Sequence, residues 1–84
     1  MKKYNININY SWGEEEDPVE IEATCNADAF NKMIDLATRE AKETIGAWQE
    51  ESVEIEMIPY DNKIILYYGH NYDYCIYLLI EKEM

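Results

Sequence analysis

Glycine and proline are scarce in this 84-residue chain, three and two positions respectively, which excludes a collagen-like repeat and a low-complexity tail. Histidine occurs once, and the two cysteines, Cys25 and Cys75, are far apart with no CxxC spacing. That pattern excludes both the four-ligand arrangement of structural zinc and a paired-thiol redox motif. Basic residues are few, with Lys+Arg 7 against Asp+Glu 18 and a formal net charge of −11. Nucleic acid and anionic membrane surfaces would repel such a chain, so neither is expected as a direct partner. The longest apolar run, Cys75 to Ile80, falls far short of the roughly 20 residues a membrane-spanning helix needs. The opening MKKYNININY has two lysines, but Asn5, Asn7 and Asn9 interrupt any apolar signal core, and a cytoplasmic location is the expectation.

Hydrophobic residues nevertheless make up 48% of the chain, enough for residues 1–84 to fold as a single domain. From Tyr4 to Trp12 the apolar residues fall at every second position, the pattern of a half-buried strand. The acidic segment GEEEDP at 13–18 reads as a solvated turn, and Val19, Ile21, Ala23 and Cys25 alternate with polar residues as a second strand that returns along the first. Asn26 is placed to cap a helix. Phe30, Met33, Ile34, Ala37, Ala41, Ile45 and Trp48 recur at helical spacing after it, with Gly46 as the candidate C-terminal cap. A third strand covers Val53 to Met57 and stops at Pro59; a fourth spans Lys63–Tyr68 and a fifth Tyr74–Glu81, these last two apolar on both faces. The expected fold is α+β, in the order β-β-α-β-β-β, with one helix on one face of a mostly antiparallel five-stranded sheet. One helix can cover one face only. The other face is therefore left for something else to cover, and both cysteines are expected as buried reduced thiols.

Two groups of residues point to binding. Glu20, Glu22, Glu54 and Glu56 project from the polar faces of their strands, where residues two apart stand about 7 Å from one another. With Glu14, Glu15, Glu16 and Asp17 they offer a negative surface able to compete with phosphates for a basic groove. The same alternation is also what any soluble sheet presents to water. Of eight tyrosines, six lie in the last third of the chain; Tyr67, Tyr72 and Tyr74 are the candidate anchors, since tyrosine offers large contact area with little rotamer entropy to lose. Others are strand formers that fill a core. Catalysis is not expected: His70 sits alone in a turn, Cys75 opens an apolar strand that would raise its pKa, and neither a calcium loop nor a phosphate-binding glycine loop is present. No cofactor or metal is expected.

In charge and length the chain is similar to the small acidic inhibitors that phages and mobile elements deploy against restriction or CRISPR nucleases, and its Lys, Asn, Ile and Tyr content suits an AT-rich genome. That likeness implies a non-enzymatic module that occupies the basic nucleic-acid-binding surface of a partner protein. The alternatives are a homodimeric structural or accessory domain whose charge keeps it in solution, and an antitoxin or immunity protein that blocks a basic toxin.

Overall fold

The structure is a computed structural model and describes residues 1–14, 16–48, 52–69 and 73–82, with backbone alone at 47 and 48. The chain runs β1 (Lys2–Tyr10), β2 (Val19–Ala23), α1 (Asn26–Trp48), β3 (Val53–Ile58), a short 3-10 turn (Pro59–Asp61), β4 (Lys63–Tyr68) and β5 (Asp73–Glu81). Every strand pairing is antiparallel and the order across the sheet is β2-β1-β5-β4-β3. The α+β fold read from the sequence is therefore the fold observed. The first and last strands meet in the middle, and α1 carries the chain from one edge of the sheet to the other.

The core lies between α1 and the sheet. Tyr4, Ile6 and Ile8 of β1, Ala23 of β2, Ile64, Leu66 and Tyr68 of β4, and Cys75, Tyr77 and Leu79 of β5 close against Ala29, Phe30, Met33, Ala37 and Ala41 of the helix. Small residues at 29, 37 and 41 let the helix approach the sheet, while Phe30 and Met33 fill the wider space between them. Each large side chain taken wholly out of water here contributes about 1.5–3 kcal/mol. Three of the tyrosines, Tyr4, Tyr68 and Tyr77, are core residues.

Several local expectations shift. The first strand ends at Tyr10, and Trp12 belongs to a turn in which Gly13, at φ 89°, donates its N–H to Tyr10 O at 3.1 Å. The second strand stops at Ala23, so Cys25 is exposed at the head of the helix, and of the two cysteines Cys75 alone is buried. Asn26 does not cap α1. The carbonyl of Cys25 accepts the first helical bond from Ala29 at 3.0 Å, and the Asn26 side chain donates instead to Asn62 Oδ1 at 2.9 Å. Gly46 does not end the helix either, which continues to Trp48; Ile45, expected in the buried stripe, is exposed.

Candidate partner-binding face

Strand side chains alternate between faces, so the register of the sheet assigns each residue to the helix side or the open side. On the open side the rows read, from the β2 edge towards the β3 edge, Glu20–Asn5–Ile80; Asn7–Leu78–Lys63–Ile58; Asn9–Ile76–Ile65–Glu56; and Tyr74–Tyr67–Glu54. Glu22 stands opposite Lys3 at the remaining corner. The centre of this face is thus an apolar band of Ile65, Tyr67, Tyr74, Ile76, Leu78 and Ile80. Ile80 is 43% exposed, Tyr74 40% and Tyr67 37%. β4 and β5 are apolar on both sides as expected, but α1 covers only one of those sides. A strip of three asparagines borders the band on β1, and glutamates stand beyond it at both edges.

All four strand glutamates share the open face but not one edge of it. Glu20 and Glu22 are separated from Glu54 and Glu56 by four strand spacings, about 19 Å. Their surroundings differ as well. Glu20 is clamped by Lys82 at 2.9 Å and Lys3 at 3.8 Å, and the bond from Lys82, followed by its charge, holds the Glu20 carboxyl below its ordinary range. Glu56 accepts the Tyr67 hydroxyl at 2.7 Å, which raises the pKa of that tyrosine and fixes its ring beside Tyr74. Sequence reasoning did not anticipate the lysine clamp, because it depends on β5 lying beside β1.

Glu14 and Glu16 of the acidic turn do not join this surface. Glu14 accepts the Trp12 indole N–H at 2.9 Å, and Trp12 stacks on Tyr10 with ring centroids 4.7 Å apart. Tyr10 points to the helix side, where its hydroxyl donates to Glu16 at 2.7 Å. Glu40 of α1 is close by, and its carboxyl is raised chiefly by burial and then by the charge of Glu16. Glu14 and Glu16 therefore belong to the helix layer, Asp17 is exposed in the turn, and Glu15, His70 and Tyr72 lie outside the described residues. Of the candidate binding residues, Glu20, Glu22, Glu54, Glu56, Tyr67 and Tyr74 are brought onto one face.

The two thiols contrast sharply. Burial pushes Cys75 up to about 12, so at neutral pH it is a protonated thiol packed among tyrosines. Cys25 is exposed, and the backbone N–H of Asp28, helped by the Thr24 hydroxyl, lowers its pKa. Among the described residues no three His, Cys, Asp or Glu side chains are placed to hold a metal ion, and no helix is long and apolar enough to cross a membrane. No protein-family model, curated protein or solved structure matches this chain.

Proposed function

We propose that this protein is a non-catalytic binding module whose open sheet face docks on the basic, nucleic-acid-binding surface of a partner protein and so blocks it, an inhibitor of the DNA-mimic, anti-restriction or anti-CRISPR kind. The observation that carries this reading is the layout of that face: an uncovered apolar band framed on both sides by glutamates of the edge strands. Carboxylates supply the attraction that phosphates would supply to a basic groove, and the band supplies desolvated contact area. Tyr67 and Tyr74, adjacent across β4 and β5, are the anchors. A protonated, buried Cys75 offers no nucleophile to set against this reading. A basic toxin blocked by an immunity protein would be recognised by the same chemistry.

The test is retention of proteins from a nuclease-treated lysate of the source cells on the immobilised chain, washed in rising salt, beside the Glu20→Gln/Glu22→Gln/Glu54→Gln/Glu56→Gln variant. A basic nucleic-acid-binding protein that leaves the wild-type chain as salt rises, and is held about tenfold or more weakly by the variant, is the expected result. Equal retention by the variant at low salt overturns the proposal. The apolar band also favours a second reading, a homodimer closed over Ile65, Ile76, Leu78 and Ile80. Sedimentation separates the two, since a monomer at micromolar concentration removes the homodimer.

A further inference from the structure

Antiparallel pairing turns the backbone groups of alternate residues towards each neighbour, and individual bonds fix which residues turn which way. Gly69 donates its N–H to Ser52 O at 3.3 Å, so Ser52 and Gly69 are a bonded pair. Stepping by two along the register, Glu54, Glu56 and Ile58 face β4 with their N–H and C=O groups. The bond from Leu79 N–H to Asn62 O at 2.9 Å, on the other side of β4, requires the same alternation. The backbone groups of Val53, Ile55 and Met57 therefore point outward from the sheet. Among the described residues nothing bonds to them. Their side chains lie on the helix side, where Val53 and Ile55 are half-buried and Met57 is 47% exposed, while Glu54 and Glu56 stand on the open side.

At the opposite edge two of the corresponding groups are taken. Lys82 N–H donates to Lys3 O at 2.9 Å, which assigns the odd residues of β1 to β5 and the even ones to β2, and leaves Glu20, Glu22 and Thr24 facing outward. Lys32 of the helix donates to Glu22 O at 2.6 Å, and Asp28 accepts the Thr24 N–H at 3.0 Å. Asp28 and Lys32 also pair with each other at 3.7 Å. The first turns of α1 thus guard the β2 edge at Glu22 and Thr24, whereas no outward group of β3 has a partner among the described residues.

We propose that β3 is a strand-addition site: an extended segment of a basic partner, with Lys or Arg alternating with apolar residues, pairs with the outward backbone groups of Val53, Ile55 and Met57 as a sixth strand. Main-chain bonds give such a contact its affinity and the alternate side chains give it specificity. Apolar residues of the added strand extend the row of Val53, Ile55 and Met57, and its basic residues stand across from Glu54 and Glu56. The charge pattern selects against a second copy of this chain. An antiparallel β3–β3 pair centred on Ile55 would set Glu54 directly opposite Glu56 of the second copy, twice over, and like charges directly opposite are destabilising. This inference deepens the docking reading above and rests on it for the basic character of the partner.

The experiment uses three capped peptides: alternating valine and lysine, the same composition scrambled to break the alternation, and the alternating peptide N-methylated at the amides that would face β3. Affinity is measured by fluorescence anisotropy, and the backbone amides of the protein are followed by NMR hydrogen exchange. The alternating peptide should bind, slow the exchange of the Val53, Ile55 and Met57 amides, and weaken about tenfold or more on N-methylation, since several main-chain bonds are lost together. Met57→Lys, an exposed position that leaves the core intact, should weaken the alternating peptide as well. Equal binding of all three peptides overturns strand addition while leaving a charge-driven docking face standing. Binding of none overturns strand addition, and the docking face then stands or falls on retention by the four-glutamine variant.

Discussion

The two edge strands carry the same four residues, Val19-Glu20-Ile21-Glu22 in β2 and Val53-Glu54-Ile55-Glu56 in β3, and the fold uses them in opposite ways. In β2 the Glu20 carboxylate is held by Lys82 and Lys3, and at the end of the strand Lys32 holds the outward Glu22 carbonyl and Asp28 the Thr24 N–H. In β3, among the described residues, Glu56 meets only the Tyr67 hydroxyl and the outward backbone meets nothing. Exposed edges invite pairing with another chain unless they are blunted. One edge here is blunted by the helix that leaves it, whereas the helix reaches the other edge with its far end. The difference teaches that an alternating acidic strand is neither a binding element nor a solvated one by its own sequence; the neighbours decide.

The largest expected effect is one that breaks both edges together. Leu66 is wholly buried at the centre of the core, flanked by Ile55 of β3 on one side and Cys75 of β5 on the other. Leu66→Ala should cost about 2–5 kcal/mol, read by urea denaturation. Hydrogen exchange at Ile21, whose amide faces β1, and at Glu56, whose amide faces β4, should then accelerate alike; loss of protection at only one of them would mean that the edges unfold independently.

A smaller change should make the two edges alike. Asp28→Ala removes the acceptor for the Thr24 N–H and the partner of Lys32. The Thr24 amide should then exchange as fast as those of Val53, Ile55 and Met57, and the β2 edge should begin to pair with the alternating peptide. An unchanged Thr24 rate would show that the guard lies elsewhere.

The smallest effect is electrostatic. Because Glu20 is held below its ordinary value of 4.5 by Lys82, the folded state binds its proton less readily than the unfolded state does. Its contribution to stability is therefore present above about pH 4.5 and lost as pH falls through the lower folded value. Glu20→Gln should lower the melting temperature slightly at neutral pH, and the gap to the wild-type chain should close in acid. Glu54→Gln, with no lysine to lose among the described residues, should leave the melting temperature unchanged across the same range.

Much of this arrangement was legible before any coordinates. Alternation puts Tyr4, Ile6 and Ile8 on one side of their strand, Ile64, Leu66 and Tyr68 on one side of theirs, and Glu20, Glu22, Glu54 and Glu56 on strand surfaces, because a period of two is a local property; which apolar side of β4 and β5 meets the helix is not local. Strand order was not legible, since alternation states which way a side chain points and is silent on what stands beside it. The separation of the glutamates into two edges, and the clamping of only one of them, therefore could not be read. The described residues of the turn at 13–18 are exposed, as their composition implies, but the separation of Glu14 and Glu16 from the strand acids is not legible in it. Their attachment to the helix layer comes from Tyr10, whose hydroxyl reaches Glu16 from the apolar side of β1. The cap position failed for a similar reason: Asn26 had a better partner in Asn62, thirty-six residues on.

The place of β5 between β1 and β4 also bears on how the molecule is made. Without β5 the preceding residues can hold two hairpins, β1–β2 and β3–β4, tied by a helix and with no strand between them. Only β5 joins the halves, so the sheet cannot close before β5 pairs, and its pairing with β1, distant in sequence, is of the kind that is slow to find. A peptide spanning Asp73–Glu81, supplied to a chain that stops at Gly69, would be the missing middle rather than an appended end.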